Sequence, residues 1–182
     1  MLSISLSPDI SRLFREITFK DKITRDPSDH ITMFYLGDNI PLKKLIKMIP
    51  IIFDITCDMK PFMVSCSKIT TFPKGKNGYP IIGEIKSKDL SALRDKLKKE
   101  FEKNKIKYDS TFKDYKPHVT LGYSKNKPKN TSFSKINWSI NHISLYGGDE
   151  SDSRFFVNFP FTLGTEKIAK LANFCDLYYK AI

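Results

Sequence analysis

The sequence has few of the features that mark a membrane-spanning, secreted or metal-binding protein. No stretch approaches the roughly 20 uncharged apolar residues that a membrane-spanning helix needs. The N-terminal segment also lacks the basic start and long apolar run of a signal peptide. The three cysteines, Cys57, Cys66 and Cys175, are odd in number and match no metal-ligand spacing. We therefore expect free, mostly buried thiols and a soluble cytoplasmic protein, with no membrane association and no obligatory protein partner.

The composition is that of a folded domain with a strong positive charge. With 182 residues, 40% of them hydrophobic, the chain can bury a real interior, and we assign residues 1–182 to a single domain with two lobes. The 31 Lys and Arg residues against 20 Asp and Glu residues give a net charge of +11. Such an excess favours RNA, oligonucleotides or phosphorylated ligands. A lysine-rich surface also follows from A/T-rich codon usage, so charge alone does not decide the partner.

Apolar residues recur at helical spacing in some segments and at strand spacing in others. Because helices and strands interleave irregularly, the pattern predicts an α+β domain with a mainly antiparallel sheet. The chain also looks like two similar halves, each with one amphipathic helix and one His-apolar-Thr-apolar strand. Helices are predicted over 7–17, 41–49 (ending near Pro50), 88–104 and 166–180, and strands over 30–36, 61–72, 79–86, 118–123, and near 136–146 and 154–163.

Two tripeptides, His30-Ile31-Thr32 and His118-Val119-Thr120, carry the chemistry of the chain. In a strand, residues two apart point to the same face, so each tripeptide presents one imidazole and one hydroxyl on one side. If the two strands are neighbours, four such groups converge. The chain has only 3 histidines, and two of them share this pattern.

Such a constellation suits phosphodiester cleavage without a metal or other cofactor. One neutral histidine would take a proton from the attacking water or ribose hydroxyl, and the other, protonated, would give one to the leaving oxygen. The threonines would hold the non-bridging oxygens in the transition state. Catalytic zinc usually needs a third protein ligand, which neither motif supplies. The remaining histidine, His142, has no partner motif, and we expect a structural or surface role for it.

The segments HITMFYLGD and PHVTLGYS resemble the paired signatures of the 2H phosphoesterase superfamily, which includes 2′-5′ RNA ligase-like proteins and cyclic phosphodiesterases. The resemblance covers roughly residues 28–164. It implies a bilobal fold with pseudo-twofold symmetry and a central cleft, and activity on 2′,3′-cyclic phosphates or 2′-5′ linkages. It also implies that His30, Thr32, His118 and Thr120 are catalytic. By analogy with cyclic phosphodiesterases, His118 would activate the nucleophile and His30 would protonate the leaving group.

The chain departs from this family pattern at three aromatic residues. Phe34 and Tyr123 stand where RNA ligase-like members often carry basic residues, and Tyr115 replaces a common phenylalanine. We expect these three rings to line the cleft and to stack on bases of the substrate. Ordinary core packing is the alternative for Phe34 and Tyr115.

Three other functions stay open from the sequence. The enzyme could degrade cyclic or 2′-5′-linked oligonucleotide immune signals in a host cytoplasm, as viral members of the family do. The chain could be a catalytically silent nucleotide- or RNA-binding module of the same fold, although both histidines and both threonines are intact. It could also use only its lysines to bind anionic surfaces. Five lysines on predicted loops would guide an anion if those loops rim the cleft, and otherwise they are ordinary solvated surface: Lys74, Lys76, Lys125, Lys127 and Lys129.

Overall fold

The computed structural model describes residues 1–26, 29–111, 114–128, 133–147 and 155–161. Within these ranges the chain forms three helices and nine strands, which confirms the predicted α+β class. The predicted helix 166–180, Cys175 and Lys129 lie outside the described residues. Among the described helices, none is long and apolar enough to cross a membrane. The elements are β1 (Leu2–Ser5), α1 (Pro8–Arg15), β2 (Thr24–Arg25), β3 (His30–Phe34), α2 (Leu42–Thr56), β4 (Phe62–Thr71), β5 (Tyr79–Lys86), α3 (Lys88–Lys103), β6 (His118–Ser124), β7 (Ile136–Ile140), β8 (His142–Gly147) and β9 (Phe155–Pro160).

All the described strands belong to one antiparallel sheet, in which the two motif strands are central. The strand order is β7-β4-β5-β6-β3-β1-β8-β9, and β2 pairs with the end of β6. Strands that are distant in the chain are therefore neighbours at several places, and β3 meets β6 in the middle of the sheet. The predicted bilobal shape with pseudo-twofold symmetry stays a prediction.

The core lies against the sheet face that carries Ile31 and Val119, both fully buried. Helix α3 begins after Ser87, whose hydroxyl accepts a hydrogen bond from the amide of Leu90, as expected of an N-cap. The predicted apolar stripe of this helix is confirmed, because its four members are all buried. They are Leu90, Leu93, Leu97 and Phe101.

Helix α2 corrects one prediction, because it continues through Pro50 to Thr56 instead of ending near the proline. A proline inside a helix removes one backbone hydrogen bond and costs about 3 kcal/mol or more. Pro50 is exposed, whereas Met48 and Ile52 on either side of it are completely buried. Burial of each such side chain contributes roughly 1.5–3 kcal/mol, so the buried face outweighs the cost at position 50.

The single strand predicted near 136–146 is two strands. Strand β7 ends at Ile140 and pairs with β4 at one edge of the sheet, and β8 begins at His142 and pairs with β1 and β9. The two ends of the sheet approach each other here, where the rings of Phe62 and Phe161 stack with centroids 5.7 Å apart. The sheet is therefore curled. Asn141, between the two strands, interrupts a run of strand-like spacing that gave no sign of a break.

Candidate active site

The register of the central strands places the four motif side chains on one face of the sheet. Ile31 is the direct partner of Val119 in the antiparallel pair β3–β6. Counting outward from this pair, His30 lies opposite Thr120 and Thr32 lies opposite His118. Cβ atoms of directly opposite residues are about 4.5–5.5 Å apart, and diagonal neighbours are about 7–8 Å apart. The four groups therefore share one small area of the sheet, which we call the motif face.

The hydrogen bonding of His118 defines which of its nitrogens faces a ligand. Its Nδ1 lies 2.7 Å from the carbonyl oxygen of Lys116 and, facing an acceptor, must carry the proton in the neutral ring. In that tautomer Nε2 has a free lone pair. Burial lowers the pKa of His118, the bond to Lys116 opposes this, and the charge of His30 lowers the pKa further. A neutral His118 with an available Nε2 has the properties of a general base.

His30 is arranged differently, because its Nε2 lies 3.1 Å from the hydroxyl oxygen of Thr32. That hydroxyl in turn donates to the sulfur of Met1 at 3.5 Å. With its proton directed at the sulfur, the oxygen of Thr32 is free to accept a hydrogen bond from a protonated Nε2 of His30. The local geometry of His30 therefore fits a proton donor, whereas that of His118 fits an acceptor.

Tyr115 and Arg94 tie the loop before His118 to the first motif strand. The hydroxyl of Tyr115 donates to the carbonyl of Thr32 at 3.2 Å, and Nε of Arg94 donates to the carbonyl of Met33 at 3.3 Å. The guanidinium carbon of Arg94 lies 4.2 Å from the centroid of the Tyr115 ring. One face of that ring is therefore covered. Burial raises the pKa of Tyr115 well above its usual value, and the charge of Arg94 lowers it in part.

Sequence reasoning missed Arg94, although a signal was present. It is the single arginine of α3, among five lysines, next to the buried stripe. A guanidinium stacks flat on aromatic rings and donates in a fixed plane, which an ammonium group does not. An isolated arginine on the flank of an otherwise lysine-rich helix therefore indicates a stacked partner.

Phe34 is on the core side and not on the motif face, contrary to the expected orientation. The β1–β3 ladder pairs Ser3 with Thr32 and Leu2 with Phe34, so Met33 is an extra residue, a bulge. The bulge turns Phe34 to the face of the buried Leu2. The Phe34 ring is 2% exposed and packs edge-on against Phe101 and Tyr108, which leaves no exposed face for a base.

A second bulge, in β6, places Tyr123 on the motif face. The β5–β6 ladder pairs Ile82 with Thr120 and Ile81 with Gly122, so Leu121 is the extra residue. Beyond it, Tyr123 is the partner of Pro80, on the same side of β5 as Ile82, and therefore lies on the motif face. Its side chain is half-buried, bonds to Asp26, and has a pKa raised chiefly by burial.

Phe72 is an aromatic neighbour of the site that the sequence did not single out. Its ring meets the His118 ring edge-on, with centroids 4.7 Å apart and planes at 86°. Its amide donates to the carbonyl of Pro80, which continues the β4–β5 pairing beyond Thr71. Phe72 is half-buried and contributes to the desolvation of His118. The β5 partner of His118 is Glu84, which places one carboxylate on the motif face.

The third histidine, His142, is not part of the motif face that carries His30 and His118. Nδ1 of His142 lies 2.7 Å from the side-chain oxygen of Asn141, and burial lowers the pKa of the ring. These contacts fit the structural role expected for it. In the described part of the chain, no three His, Cys, Asp or Glu side chains are grouped so that they could hold a metal ion. Cys57 and Cys66 are both buried, as predicted, and the thiol of Cys66 is free.

Comparison with known proteins agrees with this geometry. The family model of the 2′-5′ RNA ligase superfamily matches residues 5–152. The chain belongs to this superfamily of 2H phosphoesterases. Membership supports phosphodiesterase-type activity. No curated protein matches the chain in sequence.

Several solved structures share the fold at low sequence identity. The protein TT0787 of Thermus thermophilus is 15% identical with a TM-score of 0.67, over 88% of this chain and 96% of that one. A protein described as a phosphoesterase is 14% identical with a TM-score of 0.64, over 88% and 94%. E. coli LigT complexed with NADP+ is 12% identical with a TM-score of 0.60, over 88% and 93%. At these identities the likeness concerns the fold alone.

Proposed function

We propose that this 2H phosphoesterase is a metal-independent phosphodiesterase that acts on RNA-type or nucleotide substrates, either 2′,3′-cyclic phosphates or 2′-5′ linkages. The observation that carries the proposal is the pairing of Ile31 with Val119, from which two imidazoles and two hydroxyls follow on one face. Superfamily membership supports the same chemistry. The net charge of +11 suits an anionic substrate.

In the proposed reaction the two histidines have different tasks. Nε2 of His118 takes the proton of the attacking water while the new P–O bond forms. Nε2 of His30 gives its proton to the leaving ribose oxygen as the old P–O bond breaks. Two hydrogen bonds support this assignment, because Nδ1 of His118 faces the carbonyl oxygen of Lys116 and Nε2 of His30 faces the hydroxyl oxygen of Thr32. When substrate binds, the Thr32 hydroxyl turns its proton from the sulfur of Met1 to the phosphate. The hydroxyls of Thr32 and Thr120 then donate to the non-bridging oxygens as negative charge grows there.

The direct test is turnover on a substrate panel with EDTA present. The panel contains 2′,3′-cyclic nucleotides, 2′-5′ and 3′-5′ oligonucleotides and cyclic oligonucleotides, with products identified by mass spectrometry. We expect His30→Ala and His118→Ala each to lower turnover at least about a hundredfold, since general acid–base catalysis contributes about 10²- to 10⁴-fold. His142→Ala is the matched control and should change turnover less than about twofold.

Each other outcome of this panel argues against the proposal in a different way. Equal rates for the wild type and both variants would assign the activity to another site or to a contaminant. Tight binding without turnover of any substrate would make the chain a silent nucleotide-binding module. Activity that EDTA abolishes and added zinc restores would replace the two-histidine mechanism with a metal-dependent one.

A further inference from the structure

Two lysine-bearing loops lie side by side at one end of the motif face. One is the β4–β5 turn with Lys74 and Lys76, and the other follows β6 with Lys125 and Lys127. The pairing of Tyr79 with Ser124 brings the loops together. Gly78 fixes their approach: its φ is +106°, and a Cβ there would lie 2.4 Å from the carbonyl oxygen of Ser124. The closeness is therefore built into the backbone.

We call these four lysines the basic rim. The ammonium of Lys74 lies 6.0 Å from the centroid of the Tyr79 ring, a cation–π contact that does not neutralise its charge. All of them are exposed, and none forms an ion pair within the described part of the chain. Lysines on α3 differ, because Lys98 and Lys103 pair with Glu102 and Glu100. Like charges held together without counter-charges create a local positive potential that favours an anion.

Two aromatic rings lie between the catalytic pair and the basic rim. Phe72 contacts His118 and directly precedes the Pro73–Gly78 turn, and Tyr123 is on the motif face between Thr120 and Lys125. A strand advances about 3.3 Å per residue and Leu121 is an extra residue, so Lys125 lies roughly 13 Å from Thr120 along the sheet. The order along the face is catalytic groups, then aromatic rings, then unpaired cations. Proteins that bind single-stranded nucleic acid combine these same two elements, rings for bases and cations for phosphates.

We infer that the basic rim with Phe72 and Tyr123 is a docking track for a single-stranded RNA chain that extends from the scissile phosphate. The inference rests on the proposed function and narrows it, because it makes the substrate an oligonucleotide longer than a dinucleotide. A mononucleotide or cyclic dinucleotide would gain less from the lysines than a longer chain. The track runs past Thr120 towards the ends of β6 and β4.

The test compares two sets of neutralising substitutions that change the net charge equally. The rim set is Lys74→Gln, Lys76→Gln, Lys125→Gln and Lys127→Gln, and the control set is Lys96→Gln, Lys98→Gln, Lys99→Gln and Lys103→Gln on α3. Binding of a labelled single-stranded RNA of about ten nucleotides is measured by fluorescence anisotropy on the His118→Ala background, across a salt series. KM is measured in the active enzyme for that RNA and for a dinucleotide.

The rim set should raise Kd and KM for the long RNA about tenfold or more and leave the dinucleotide KM within about twofold. Since each neutralised phosphate contact contributes about −0.7 to the salt slope on a single strand, the slope should fall by about two to three. The control set should change none of these. The inference would be wrong if the two sets changed Kd equally, or if the rim set raised KM equally for the long RNA and the dinucleotide.

Failure of the track and failure of the proposed function are distinguishable. An enzyme that cleaves dinucleotides well and shows no preference for longer RNA retains the function and lacks the track. A protein that turns nothing over and still binds long RNA through the rim has the track and lacks the function. Stronger rim-dependent binding of duplex RNA or of acidic polypeptide than of single-stranded RNA would reject the inferred occupant.

Discussion

The two motif strands share the His-x-Thr pattern, but the aromatic residues that follow it lie on opposite faces of the sheet. Each strand contains one bulge just beyond its His-x-Thr. In β3 the bulge at Met33 turns Phe34 into the core, and in β6 the bulge at Leu121 brings Tyr123 onto the motif face. One extra residue therefore decides whether a ring stabilises the fold or is available to a substrate, because side chains alternate with a period of two.

The largest expected effect separates the roles of the two histidines. With a phosphodiester whose leaving group is p-nitrophenolate, the leaving oxygen needs no proton. We expect His30→Ala to lose less than about tenfold on this substrate, against at least about a hundredfold on a nucleotide, and His118→Ala to stay impaired on both. Steady-state kinetics of the two variants on the two substrates check this. Rescue of His118→Ala instead would reverse the assignment of acid and base.

The aromatic comparison predicts a large change in stability at one position and in affinity at the other. Phe34→Ala should lower the free energy of unfolding by about 3–5 kcal/mol, because it empties a buried ring site. Tyr123→Ala should lower the free energy of unfolding by only about 1 kcal/mol, because the ring is half-buried. It should raise KM about tenfold, because stacking contributes about 1–3 kcal/mol per base.

Urea denaturation and kinetics on both proteins measure this contrast. If Phe34→Ala does not fold, Phe34→Leu keeps most of the volume and should leave KM unchanged at reduced stability. A higher KM in Phe34→Leu with intact stability would mean that the ring does reach the substrate.

The Tyr115 hydroxyl joins the two strands, and its removal should affect catalysis more than stability. Tyr115→Phe keeps the stack with Arg94 and removes the bond to Thr32, at a cost of about 1 kcal/mol in the free energy of unfolding. We expect kcat to fall about tenfold with KM unchanged, since the bond positions Thr32 relative to the His118 loop. Nitrogen-15 NMR should show loss of the pure Nδ1–H tautomer of His118. An unchanged tautomer and kcat would make the contact merely structural.

The smallest expected effect concerns pH. Burial holds the pKa of His118 below its ordinary 6.5, so the folded state disfavours the proton and activity should persist below that pH. The unfolded chain then binds more protons than the folded one, so this contribution to stability is present above 6.5 and is lost as pH falls through the folded pKa. Phe72→Ala should return the pKa towards 6.5, because water reaches the ring. An NMR titration of His118 in both proteins is the measurement, and an unchanged value would remove Phe72 as a cause.

Local sequence patterns predicted the helices and strands, which depend on residues close together in the chain. They predicted few of the features that depend on how distant strands pair. The α3 stripe and the two His-x-Thr strands follow from spacing alone. The bulges at Met33 and Leu121 do not, because each is defined by a partner strand that is distant in sequence. Helix α2 likewise continues through Pro50 because of tertiary burial on either side of it, which local sequence does not show. The contact of Arg94 with Tyr115 needed a helix and a loop to meet in space.

The proposed acid and base come from opposite sides of α3 in the chain, one on β3 before it and the other on β6 after it. A cut in the segment between α3 and β6 would therefore give two halves, each with one imidazole and neither competent alone. Turnover would return only when the halves reassociate through the strand pairs that cross the cut, which are β3–β6, β5–β6, β2–β6, β4–β7 and β1–β8. The rate of turnover would therefore measure the fraction of fragments that have reassociated with the correct strand pairing.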